Sequence, residues 1–147
     1  MTFTTYLERL LDSPKSAEGN VHVGFHLDFS SPVSIVAANN YALSLIKLQR
    51  FGEARSLLRK TVLVARRVHG DNQELVTSLR RNYARVLYDD PGATLDDMRE
   101  AVTTLEELER IARRVLGGAH PLTTNIGTNL RDARAALRAR ETPPGGA

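Results

Sequence analysis

The hexapeptide Ala65-Arg66-Arg67-Val68-His69-Gly70 returns 47 residues later as Ala112-Arg113-Arg114-Val115-Leu116-Gly117. An echo at a fixed period means that one supersecondary unit is used twice, and such units bury their apolar faces on one another. A chain of this kind is a stacked array, an architecture suited to binding rather than catalysis. The echo extends upstream. Asn40-Tyr41-Ala42 matches Asn82-Tyr83-Ala84 and Leu45 matches Leu87 at a spacing of 42, whereas Ala54 matches Ala101 at 47. Five residues are therefore inserted between Leu87 and Ala101, with Asp89-Asp90-Pro91-Gly92-Ala93 the natural place. Pro-Gly marks a turn, so the insertion is expected to lengthen a loop. A third copy begins after Gly117, since Asn129 follows it by 12 residues, as Asn82 follows Gly70.

Apolar periodicity assigns helices to the units. Ser31 is a cap and Pro32 a first helical residue, opening a helix over 33–48 with Ile35, Ala38, Ala42, Leu45 and Ile46 inward. A second helix covers 52–68, with Ala54, Leu57, Leu58, Val62 and Ala65 on one face. A third, capped by Asp71 or Asn72, ends near Tyr88. Thr94 caps a fourth, with Asp97 at the capping-box position, and it runs to about Leu116. Pro121 opens a fifth that ends near Arg140. Ahead of these, residues 3–11 carry the stripe of a short amphipathic helix, and residues 21–29 alternate with period two as an extended segment. Three regions result: 1–32, a short helix plus extended segment; 33–140, the helical repeats; and 141–147, a Pro-Gly-rich tail expected to be disordered.

Composition narrows the function classes. There is no cysteine, hence no disulfide framework and no thiolate metal site. No apolar run approaches the roughly 18–20 residues needed to cross a bilayer, and the first residues lack the pattern of a signal peptide, so a cytoplasmic setting without membrane is expected. Residues 1–33 hold two basic and four acidic groups and the tail adds Glu141, so the chain's +3 leaves +6 on residues 34–140. Such a bias suits an acidic partner or nucleic acid, and equally an ordinary solvated, arginine-rich helix surface. Nucleic acid is disfavoured, because four Tyr, four Phe and no Trp give no stacking platform. His22, His26 and Asp28 share one face of the extended segment but lack a second ligand cluster, so no metal is expected. No phosphate loop, nucleophile elbow or zinc-protease motif is present, and no cofactor and no enzymatic activity are expected. Glu106–Arg110 and Glu109–Arg113 have the spacing of helix-surface ion pairs. The arginines of the echo sit in last helical turns, where the macrodipole favours cations.

The unit Asn39-Asn40-Tyr41-Ala42-x-x-Leu45, then Phe51-Gly52-Glu53-Ala54, then Leu57-Leu58 resembles the tetratricopeptide repeat. Ala42 and Ala54 match the small residues at which its two helices approach. The 42-residue period and the junction Leu116-Gly117-Gly118-Ala119-His120-Pro121 resemble its kinesin light chain-like subgroup. The resemblance covers about residues 34–130. It implies an all-α, right-handed superhelical array of antiparallel helix pairs, about two and a half repeats long. Three departures stand out. The usual turn glycine is replaced around Gln49-Arg50, the second unit carries the insertion, and Arg131 replaces the small residue of the third. That last helix then resembles a terminal cap with a polar face of Arg131, Arg134, Arg138 and Arg140.

The resemblance further implies a concave groove lined by the first helix of each pair. Asn39, Asn40, Leu43, Ile46 and Lys47 would face it from the first helix. Ser78, Arg81, Asn82, Arg85 and Tyr88 would do so from the third, and Asn125 and Asn129 from the fifth. An asparagine amide both donates and accepts, so Asn40, Asn82 and Asn129 suit clamping an extended peptide backbone; they equally suit bracing neighbouring helices. Arg81 and Arg85, one turn apart, suit a carboxylate. The peptide-binding set is thus Asn39, Asn40, Lys47, Arg81, Asn82, Arg85 and Asn129. The expected function is a non-catalytic interaction module holding an extended or acidic peptide or protein segment. The alternative is a structural fragment that forms homo-oligomers or belongs to a longer array, since arrays of so few units leave a helix face uncovered.

Overall fold

In the computed structural model, residues 31–142 are described, and among them the chain is all-helical. Five helices follow one another: α1 (Pro32–Lys47), α2 (Phe51–His69), α3 (Glu74–Asp89), α4 (Leu95–Val115) and α5 (Pro121–Glu141). The helix and extended segment expected over 3–11 and 21–29, the histidines within the latter, and the tail beyond Thr142 lie outside the described residues. Connections of three to five residues turn each helix back along its predecessor, so neighbours run antiparallel. Each helix packs on the next, and α3 additionally touches α1 and α5.

Two apolar clusters share α3. The first gathers Ile35, Ala38, Ala42 and Leu45 of α1, Ala54, Leu58 and Ala65 of α2, and Val76 and Leu79 of α3. The second joins Ala84 and Leu87 of α3 to Met98, Ala101, Leu105 and Leu108 of α4 and Ile126, Leu130 and Ala133 of α5. Tyr83 packs against both. The matched alanines 42, 54, 84 and 101 are fully buried, as a close helix crossing requires of a small side chain. Arg131, Arg134, Arg138 and Arg140 stay exposed on α5, which has no following helix among the described residues.

The five-residue insertion is not all loop. α1 and α3 end at the same point relative to Ala42 and Ala84, but the connection after α3 (90–94) is two residues longer than 48–50. The other three residues, Leu95–Asp97, extend α4 at its start. There Thr94 and Asp97 form a reciprocal capping box, and the same Asp97 receives both arms of Arg55 from α2 at 3.1 and 3.2 Å. The Arg55 bond is the main reason that the Asp97 carboxyl lies below the usual carboxylate range. Within the longer loop, Gly92 N–H donates to Asp90 Oδ1 and Ala93 is buried in the second cluster.

Helix ends depart from expectation in two places. The N-cap of α3 is Gln73, with no side-chain cap bond. Asp71 is instead held by Arg66 at 2.6 Å, and Asn72 accepts from Arg114 at 3.2 Å. Ser31 caps α1 by position but makes no side-chain bond. On α4, Glu109 pairs with Arg113 as expected, whereas Glu106 reaches Arg134 on α5 rather than Arg110.

After α1, Arg50 N–H donates to Leu45 O and Gln49 N–H to Ile46 O, the two bonds of a Schellman turn. Its left-handed residue is Gln49, with φ of 59°, where glycine would be unstrained. Gly117, with φ of 90°, fills the matching place after α4. Gln49→Gly is therefore expected to raise stability by about 0.5–1 kcal/mol, relief of left-handed strain outweighing the added freedom of the unfolded chain. Gly117→Ala is expected to cost about 1 kcal/mol. Urea-unfolding midpoints that moved the other way would show that these turns carry no such strain.

Candidate functional site

Because α3 has neighbours on several sides, little of it meets solvent. The positions left open or half-open along one stripe are Glu74, Ser78, Arg81, Arg85 and Asp89, all polar and three or four residues apart. This stripe belongs to the side on which α1, α3 and α5 lie next to one another. It is the face on which the expected groove residues sit.

Arg81 is the unusual member. It is half-buried, and among the described residues its enclosed Nε has no acceptor and no carboxylate pairs with it. Burial, and then the charge of Arg85, push its guanidinium below the ordinary arginine value. Arg85 itself stands 3.8 Å from Asp89, a long contact between partly exposed groups that is worth little on its own. Burial raises the Asp89 carboxyl; Arg85 opposes this and Asp132 of α5 adds to it.

The asparagines form cross-braces in this structure. Asn82, only 4% exposed, donates from Nδ2 to Asn39 Oδ1 at 2.8 Å and so ties α3 to α1. Asn129 donates from Nδ2 to the Tyr88 hydroxyl at 3.1 Å and ties α5 to α3. Tyr88 is buried rather than groove-lining, and burial is the main reason its phenol is raised. The Oδ1 atoms of Asn82 and Asn129 are enclosed and have no protein donor. Asn40, Lys47 and Asn125 are exposed, Leu43 and Ser78 are half-exposed, and Ile46 packs against the first cluster. The structure therefore brings Asn39 together with Asn82, and Arg81 with Arg85, and leaves Asn40 and Lys47 open on the surface of α1.

One charged group escaped the sequence reading. Arg80 has a side chain 7% exposed and reaches Glu107 of α4 at 2.8 Å, on the opposite side of α3 from Arg81. Its signal was present: Arg80 continues the inward stripe of Val76, Thr77, Ala84 and Leu87, where an arginine must find a buried partner.

Asn39 and Asn82 make a direct test of the bracing role. Asn39→Ala and Asn82→Ala are each expected to cost about 1 kcal/mol, and the double variant less than their total by about 0.5–1 kcal/mol. Strictly additive losses in a double-mutant cycle would mean that the amides do not support one another.

Comparison with protein-family models, with curated proteins and with solved structures returns no significant match to this chain, so its function is read from this geometry.

Proposed function

We propose that the chain is a tetratricopeptide-type repeat module of the kinesin light chain-like kind, without catalytic activity, that receives an extended acidic peptide along the face shared by α1, α3 and α5. The reading is supported by the antiparallel pairing, by the buried alanines at matched crossings and by the repeat spacing of 42 residues. One observation carries the functional part. Arg81 is held half-buried beside a second cation, with no carboxylate of its own among the described residues. Removing a charge from water without pairing it is unfavourable, and an incoming carboxylate would relieve both the desolvation and the Arg85 repulsion. Arg81 and Arg85 would bind the acid, and the exposed Asn40 and Lys47 would contact the peptide where it crosses α1. Asn39, Asn82 and Asn129 would hold the three helices at the separation the groove needs.

The test is fluorescence anisotropy with labelled extended peptides rich in Asp and Glu, against counterparts carrying Asn and Gln. Acidic peptides are expected to bind at least roughly ten-fold tighter, and the variant Arg81→Gln/Arg85→Gln is expected to lose that preference while keeping its helical content. Equal binding of both peptide sets, or an undiminished preference in the double variant, would overturn the proposal.

A second reading, self-association, draws on a separate observation. Val33 and Val36, one turn apart on α1, are 78% and 44% exposed, and Leu48 just beyond it is 66% exposed. Among the described helices α1 makes its main contacts with α2 and α3, and this apolar edge suits a second copy. Sedimentation velocity would then show a concentration-dependent dimer that Val33→Glu/Val36→Glu abolishes. A monomer at all concentrations would remove this reading.

A further inference from the structure

The side of α3 facing away from the proposed groove carries a second concentration of arginine. Here α2 and α4 stand apart, and a cleft of about 210 Å³ opens between them with Arg80 and Tyr83 of α3 as its floor. Arg59 and Arg66 line it from α2, and Glu100 and Thr104 from α4, with Val62 and Leu63 forming an apolar wall. At about 30 Å³ per water the volume is that of roughly seven waters, enough for a small oxyanion with a short organic group and too small for a folded partner.

The three cations differ in how far they are satisfied. Arg66 is matched by Asp71 at 2.6 Å. Arg80 gives Nη2 to Glu107, but its Nη1 is enclosed and has no protein acceptor, although more than nine-tenths of the side chain is buried. Arg59 is exposed and pairs with no carboxylate among the described residues. A guanidinium offers five donors in a fixed fork; Arg59 presents its fork at the cleft rim, and Arg80 lies beneath it as a buried positive charge with one arm on Glu107. The hydroxyls of Tyr83 and Thr104 add neutral groups able to donate. Among the described residues Glu100 is the one carboxylate on the wall and pairs with no cation. A carboxylate in an otherwise cationic cleft repels a bare anion but accepts a hydrogen bond from an anion that carries its own proton.

We infer that this α2–α4 cleft binds a protonated oxyanion of the phosphate class, with Arg59 donating to its oxygens, Arg80 supplying positive charge from beneath and Glu100 accepting its P–OH. Hydrogen phosphate is the simplest such ligand. Sulfate, which has the same shape but no proton at neutral pH, is discriminated against by Glu100. A phosphomonoester, whose second pKa of about 6 leaves it mostly without a P–OH at neutral pH, is disfavoured for the same reason as sulfate. The site is independent of the proposed peptide groove, since it uses the opposite side of α3 and none of the same residues.

The experiment is titration of the full chain, in a phosphate- and sulfate-free buffer of fixed ionic strength, with inorganic phosphate and separately with sulfate. Binding is followed by amide and side-chain NMR shifts. Phosphate is expected to give saturable shifts centred on Tyr83 and Thr104, and sulfate to bind roughly ten-fold more weakly. Arg59→Gln lies on the exposed rim, so it tests the site without threatening the fold, and is expected to weaken phosphate roughly ten-fold. Arg67→Gln, in the same helix but outside the cleft, is expected to change nothing. Glu100→Gln is expected to narrow the gap between phosphate and sulfate. Absence of saturable shifts at Tyr83 and Thr104, equal binding of the two anions to the parent chain, or equal effects of Arg59→Gln and Arg67→Gln would each overturn the proposal. Phenyl phosphate, mostly dianionic and without a P–OH at neutral pH, is expected to bind about as weakly as sulfate, and binding as tight as that of inorganic phosphate would overturn the role given to Glu100.

Discussion

Contact of α3 with all four other described helices is the constraint on which the rest of the structure depends. A helix so enclosed cannot present bulky residues everywhere. Where it crosses its neighbours most closely it must be small, and Ala84 meets that need with no exposed surface. Where it faces the interior it must be apolar or polar with a partner, as at Val76, Leu79 and Leu87 on one hand and Asn82 and Arg80 on the other. Only a narrow stripe remains for solvent. The same enclosure explains why α3 belongs to both apolar clusters, so that neither half of the described chain has a complete core without it.

A second regularity follows from stacking nearly equal units. Residues about one period apart become neighbours across successive helix pairs, and several polar ties have that separation. Asn82 to Asn39 spans 43 residues, Asn129 to Tyr88 spans 41, and Arg55 to Asp97, Arg114 to Asn72 and Arg99 to Glu141 each span 42. Each exposed ion pair contributes little alone. Their common value is register: a sliding of one pair against the next breaks all of them together. The insertion after α3 serves the same end, because its last residue, Asp97, both caps α4 and grips Arg55 of the preceding pair. A feature that reads in the sequence as an interruption of the repeat is a link between its copies.

Much of this was legible in the chain. The apolar period, the Pro residues at helix starts and the Gly residues after helix ends located all five helices to within a few residues, since each signal acts locally on backbone geometry. The capping box at Thr94 and Asp97 was readable for the same reason. What could not be read was competition between partners. Asp71 and Asn72 are good caps in isolation, but arginines from other turns claim both side chains, and α3 starts at Glu74 uncapped. Glu106 has Arg110 within one turn and still pairs across the helix boundary with Arg134. Asn82 shows the same limit at the candidate site. Its repeat position was readable, but its amide could have faced a ligand or a helix, and only the placement of Asn39 decides which group it meets.

Arg80 and Arg81 carry this argument to function. They are adjacent in sequence, and the helical advance of about 100° per residue sends them to different sides of α3. On one side Arg81 and Arg85 form a cationic pair beside α1 and α5. On the other, Arg80 lies beneath the gap between α2 and α4, with one arm committed to Glu107. Neither position is economical for stability alone, since a buried ion pair seldom outperforms apolar side chains of similar volume. Exposed arginines elsewhere, such as Arg113 with Glu109, balance their charge at the surface and need no further account. The excess positive charge of the helical region is therefore unequally meaningful. Most of it is solvated, but at Arg80 and Arg81 it is held in the helix that the fold encloses: Arg80 is matched by Glu107, whereas Arg81 has no carboxylate among the described residues, which is the imbalance that the proposed acidic peptide would relieve.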